Sequence, residues 1–241
     1  MAHEHDLATR AGLPADLREL LARYPRDVWQ GHANLGEMAK FWLARHDMFR
    51  ELGAALDGAL AQFHEGVVPA GAFASFFAPR LQFMLQQLEA HHHVEDQHYF
   101  PLFRAAENKL EKGFDLLDAD HHVIHAALGE SAQAANDFLR ALSLSAHSPQ
   151  SKAGTLADGE GLTEGARRTL RAPSPLAGEG WGGGSSARPG MTDAVKCASD
   201  AYAGVNARLL KILTRHLADE EDLIVPLILD RGEQELGVGP G

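Results

Sequence analysis

The sequence predicts an all-α protein built as a bundle of long amphipathic helices. Apolar residues recur with the 3.6-residue helical period along most of the chain, and the alternating runs of strands are nearly absent. One signature also occurs twice with identical offsets: His91-x-x-x-Glu95 followed by Pro101, and His216-x-x-x-Glu220 followed by Pro226. Residues four apart on a helix lie on one face within about 6 Å of each other, so each copy aims an imidazole and a carboxylate at one point. Two such helices facing each other can hold metal between them. The donor set suits iron and is a poor match for sites that want thiolate or all-oxygen ligands.

Taken in order, residues 15–25 read as a short amphipathic helix capped by Asp16, within an amino-terminal extension covering 1–32. A long helix is expected over Ala33–Phe63, with Trp42, His46, Phe49, Leu56 and Leu60 on one stripe and an exit marked by Gly66, Pro69 and Gly71. Ala72–Ala78 reads as a brief helix of its own, and Pro79 suits the first turn of the next, which runs to about Ala106 with Leu81, Met84, Leu88, His91, Glu95 and His98 in register. A third long helix is expected from about Asp118 to Leu142, closing a bundle segment of 33–145. The last covers Asp193–Asp230 within a segment of 191–232, presenting Val205, Leu209, Ile212, His216, Glu220, Leu223 and Leu227, and 233–241 reads as a flexible tail.

Between the last two helices, residues 146–190 hold ten of the 24 glycines and Pro149, Pro173, Pro175 and Pro189, the composition of a disordered linker. Its Gly178-x-Gly180-x-x-Gly183 matches the dinucleotide fingerprint in form alone, because no strand precedes it and no helix opens from it. A bundle tolerates such an insertion, since loop-closure entropy grows slowly with length.

Composition narrows the function classes. A net charge of −11 argues against nucleic acid as a partner. No apolar run is long enough to span a bilayer, and the start MAHEHDLATRAG lacks the features of a secretory signal, so a cytoplasmic address is expected. The single cysteine, Cys197, leaves no intrachain disulfide or cysteine-based metal site. Fourteen histidines are the anomaly.

Periodicity sorts those histidines. On the third long helix, His121 and His125 share a stripe with Phe114, Leu117, Leu128 and Ala135, whereas His122 sides with Asp115 and Asp118 and faces solvent. On the second, His92 and Asp96 form a rival pair four apart. The equal spacing of the two motifs favours His91 and Glu95, leaving His92 and His93 solvated or behind the ligands. On the first, only His46 lies centrally on the apolar stripe. The inward set is His46, His91, Glu95, His121, His125, His216 and Glu220, too many for one ion and sufficient for two that share carboxylates.

A histidine on the first helix, His-x-x-x-Glu with Phe100–Pro101 after it on the second, a histidine following an acid on the third, and His-x-x-x-Glu on the fourth resemble the hemerythrin-like, or HHE, domain over about Phe41–Ile228. The resemblance implies an up-down four-helix bundle. It implies a di-iron centre with an oxo or hydroxo bridge, His121, His125 and His216 on one iron, His46 and His91 on the other, and Glu95 and Glu220 bridging. One open position would then accept dioxygen or nitric oxide. Two departures stand out. A glutamate follows the last histidine at four residues where oxygen carriers place an aspartate at five, as in bacterial members. The His46–His91 spacing is long, leaving the Gly66–Ala78 excursion to cover the open end of the bundle.

Function is read as binding of a diatomic ligand for sensing, storage or iron and redox handling. The alternatives are a di-iron enzyme (peroxidase, nitric oxide reductase or iron-centre repair) and a zinc-bound or metal-free interaction module. A ferritin-like di-iron enzyme would need Glu-x-x-His on two helices, and Glu89-x-x-His92 is the single match.

Overall fold

The structure, a computed structural model, describes residues 5–146 and 191–239. The expected linker lies outside the described residues apart from Ala146, as do the Gly178 motif and His3. Among the described residues there are helices and turns and no strand.

A 3-10 turn at Ala15–Leu17 leads into two short helices, α1 (Glu19–Arg23) and α2 (Arg26–Trp29). Four long helical segments follow. They are α3 (Glu37–His64); α4 (Ala70–Val94), continued by a π-helical turn at Glu95–Tyr99 and by α5 (Phe100–Ala106); α6 (Glu111–Ala146); and α7 (Asp193–Arg231). Helix α3 packs on α4 and α7, and α6 packs on α4 and α7, which closes a four-membered ring. Ring contacts fix the directions: Phe63 meets Phe73 while His46 meets His91, Phe77 meets Phe138 while His92 meets His121, and Phe138 meets Tyr202 while His121 meets His216. Each neighbouring pair is antiparallel, so the bundle runs up-down-up-down.

Two apolar cores fill it. One lies toward the α3–α4 turn and contains Phe49, Leu56, Phe73, Phe77, Phe138 and Tyr202; the other, at the opposite end, contains Trp42, Phe100, Phe103, Phe114, Leu223 and Leu227. Between them lies a layer of buried polar side chains: His46, His91, His92, Glu95, His121, His216 and Glu220. Burying ionisable groups amid apolar side chains is unfavourable unless they are paired or coordinate a cation, so this layer demands a chemical explanation.

Several expected boundaries differ. Helix α3 begins at Glu37 rather than Ala33, because Gly36 and the carboxylate of Glu233, which accepts from Ala39 N at 2.8 Å, form its amino-terminal cap. A side chain at Gly36 would collide with that carboxylate. Helix α6 starts at Glu111, ahead of the expected Asp118. Ala72–Ala78 is not a separate helix, nor does Gly66–Ala78 form a cover: α4 begins at Ala70 and runs through Pro79. The buried stripe Phe73, Phe77, Leu81, Met84 and Leu88 continues across that proline, which sits on the exposed face where the carbonyl it leaves unpaired can reach water. Described residues of the amino-terminal extension and of the carboxy-terminal tail are packed too. Leu7, Leu13 and Leu17 enter the cores, α1 lies against α7, and Leu236 and Val238 are buried.

Candidate metal centre

Helical geometry explains how one stretch of α4 serves both sides of the polar layer. At about 100° per residue, His92 projects about 100° from His91, and Glu95 falls between them at about 40°. All three are buried. The helix then widens into the π turn, in which Phe100 N–H reaches back five residues to the carbonyl of Glu95. Such turns are frequent at functional sites. This one precedes Pro101 and leaves His98 exposed rather than in register with His91.

The side chains gather into two lobes. In one, His46 Nε2 and His91 Nε2 face each other at 3.1 Å, with Glu95 Oε1 3.1 Å from His91 and Glu220 Oε2 3.4 Å from His46. In the other, His121 Nε2 and His216 Nε2 are 3.2 Å apart, and the His92 ring stacks on His121 at 4.1 Å with ligand atoms of all three close together. The carboxylates span the lobes: Glu95 Oε2 is 3.7 Å from His121 Nε2, and Glu220 Oε2 is 3.5 Å from His216 Nε2.

Three of the imidazoles are oriented from behind. Nδ1 of His46 donates to Glu221 at 3.0 Å, Nδ1 of His121 to Asp96 at 2.7 Å, and Nδ1 of His216 to Asp120 at 3.3 Å. A carboxylate at Nδ1 demands the proton there, so the Nε2 lone pair is presented inward, the arrangement that metal-binding histidines use. Trp42 Nε1 donates to Glu95 Oε1 at 2.5 Å. Burial depresses the basicity of His46, and burial together with neighbouring histidines holds His91 and His92 well below the ordinary value. Burial likewise lowers His216 to about 4. At neutral pH these rings are in the uncharged form that binds metal. Burial raises Glu95 to about 7, against the attraction of His121 and the Trp42 hydrogen bond. Burial and repulsion from Glu95 push Glu220 well above the carboxylate range.

These features fit a pair of cations. Among the described residues, both oxygens of Glu220, Oε2 of Glu95 and both ring nitrogens of His92 are buried without a hydrogen-bond partner. Such orphaned groups cost about 1–3 kcal/mol each. The Nε2–Nε2 separations match what two ligands at right angles around one ion require, about 3.0 Å for bonds of roughly 2.1 Å. A cation at each lobe would also offset the repulsion between the buried carboxylates.

Residues 37–158, about half of the chain, match the hemerythrin HHE cation-binding domain family. The chain belongs to that family. No curated protein and no solved structure is significantly similar to it. The matched span holds His46, His91, His92, Glu95 and His121, while His216 and Glu220 lie beyond it on α7, and the bundle carries them to the same layer.

Six of the seven residues expected from the sequence meet there: His46, His91, Glu95, His121, His216 and Glu220. His125 does not. It is exposed, and the inward line of α6 steps from His121 to Ile124 and Leu128 rather than to His125. An interval of three and one of four are equally compatible with one face, and here the packing of Ile124 selects three. His92 occupies the third histidine position of that lobe instead. The matched offsets of the two motifs obscured it, because they select one histidine of α4 where a regular helix turns both His91 and His92 toward the layer, one on each side of Glu95. The rival pair His92 and Asp96 was the available signal: His92 joins the layer and Asp96 supports His121. Asp120 is the acid that precedes His121 in the third-helix motif, but nothing in the patterning pairs it with His216, and nothing singled out Glu221.

Proposed function

We propose that this HHE-domain protein holds two iron ions and takes up a diatomic ligand, dioxygen or nitric oxide, for sensing, storage or iron and redox handling. The observation that carries the reading is the pair of imidazole lobes spanned by Glu95 and Glu220. His46 and His91 would hold one ion, His92, His121 and His216 the other, with both glutamates shared. Iron supplies a redox-active centre at which a diatomic molecule can bind. The His46–His91 lobe has one imidazole fewer, so the small ligand is assigned to that side. There the chain supplies apolar walls: the Trp42 ring lies 4.6 Å from His46 and the Phe49 ring 5.3 Å from His91. Such walls exclude water and strengthen the electrostatic interactions within the site.

Stoichiometric nitric oxide added to the anaerobic, iron(II)-loaded protein tests this. The expected result is a new visible absorption and a paramagnetic signal that His91→Ala removes. Iron-loaded protein whose spectrum does not change with nitric oxide or air would overturn the proposal.

A further inference from the structure

The segment ahead of the family match, residues 5–36, carries two arginines to the carboxylates behind the histidines, one for each lobe. We propose that Arg10 and Arg26 are positioning residues of the metal centre, acting through Asp120 on His216 and through Glu221 on His46. The proposal rests on the reading of those histidines as metal ligands.

Arg10 is fixed from both sides in sequence, since Leu7 is buried in one core and Leu13 in the other. Its backbone closes a turn onto Asp6, with Arg10 N donating to Asp6 O at 2.8 Å. The guanidinium is almost wholly buried. It grips both oxygens of Asp120, with Nη1 to Oδ1 at 2.8 Å, and donates through Nε to Asp219 Oδ2 at 2.7 Å. Asp120 Oδ2 in turn accepts from His216 Nδ1. The bidentate fork leaves that carboxylate little rotational freedom.

Arg26 builds the same chain toward the other lobe. Its Nη1 donates to Glu221 Oε2 at 2.8 Å, its Nη2 to Ala218 O at 3.0 Å, and its Nε to Asp222 Oδ1 at 2.8 Å. The guanidinium lies over the Trp29 ring at 4.8 Å. The other oxygen of Glu221 accepts from His46 Nδ1 at 3.0 Å and from Arg50 at 2.6 Å. On α7, Asp219 and Glu221 directly flank Glu220, so the two arginines enclose the turn that presents that bridging carboxylate. Partners behind a ligand typically govern metal affinity by 10–100-fold. The amino-terminal segment is thereby part of the site and not an appendage.

The control is internal. Arg23 belongs to the same segment and pairs at 2.8 Å with Asp230, whose other partners among the described residues are Tyr24 and Arg231 and not a histidine. The test compares full-length wild type with Arg10→Gln, Arg10→Lys, Arg26→Gln and Arg23→Gln. The readouts are the rate of iron loss to a chelator, the midpoint potential, and histidine 15N NMR of the metal-stripped chains. Arg26→Gln should speed iron loss roughly tenfold, the lower end of the usual range, lower the potential and move the His46 ring resonances while leaving those of His216 in place. Arg10→Gln should move His216 in the same way, with Arg10→Lys partly restoring it. Should Arg10→Gln fail to fold, Arg10→Lys and Arg26→Gln carry the comparison. Variants that match Arg23→Gln in iron loss, potential and ring resonances would overturn the proposal. A wild type that takes up no metal would refute the proposed function instead, and the metal-free NMR would still decide whether the arginines set the rings.

Discussion

Replacing His92 by leucine should have opposite effects on the metal-free and metal-loaded protein. The ring is fully buried, and among the described residues neither nitrogen has a hydrogen-bond partner. Without metal the wild type therefore bears two orphaned polar groups at about 1–3 kcal/mol each. Leucine removes both, and imperfect shape match takes back part of the gain, leaving about 1–3 kcal/mol of stabilisation. For a chain of this size that raises the melting temperature by roughly 2–12 °C. With metal present the sign reverses, because the variant loses a donor and the stabilisation that ligation gives the folded state. The assay is thermal unfolding with and without chelator, paired with metal analysis of each sample. His125→Leu is the companion: its exposed side chain should change stability by no more than about 0.5 kcal/mol and metal content not at all. A metal-free His92→Leu protein markedly less stable than wild type, or loss of metal from His125→Leu with His92→Leu unaffected, would overturn the assignment of His92 rather than His125 to the metal layer.

Three further outcomes follow from the same geometry. Glu95 titrates in the folded, metal-free chain at about 7, raised by burial above its ordinary 4.5. Its contribution is therefore fully present below about pH 4.5 and lost as pH rises through 7, so the extra stability conferred by metal should grow across that window, as melting curves with and without metal would show. Glu221 is depressed to about 2, because the His46 hydrogen bond and Arg26 and Arg50 overcome its burial. Its contribution, on the order of 3 kcal/mol at most, is present above about pH 4.5 and lost as pH falls toward 2, so denaturant melts of Glu221→Gln should show a flattened acid limb. Trp42→Phe removes the donor to Glu95 Oε1 and should weaken metal binding roughly 10–100-fold in a competition titration, while helical content stays unchanged.

The four bundle helices were legible in the sequence because each carries an apolar stripe that persists over many turns. Their ends were less so. Gly36 looks like the interior of a helix that begins at Ala33 until Glu233, nearly two hundred residues away, is seen to cap the next turn. Pro79 reads as a start signal, yet the burial of Phe73 and Phe77 ahead of it joins two expected helices into one. At the centre, period and spacing place His46, His91, Glu95, His121, His216 and Glu220 on inward faces, and the bundle brings them to one layer. Helical phase alone separates neither Ile124 from His125 on α6 nor His92 from His91 on α4; the packing of Ile124 and the burial of His92 decide which side chains reach the layer. The carboxylates and arginines behind the histidines depend on contacts between distant segments, which helical period cannot report.

Two lobes of imidazole, joined by two carboxylates, are arranged to hold two metal ions. Iron and zinc content per chain, measured on protein purified without oxygen and compared with Glu220→Gln, tests it most directly. The expected result is close to two irons per chain in the wild type and a sharp loss in Glu220→Gln. One or no metal per chain, or a variant that retains both ions, would contradict it.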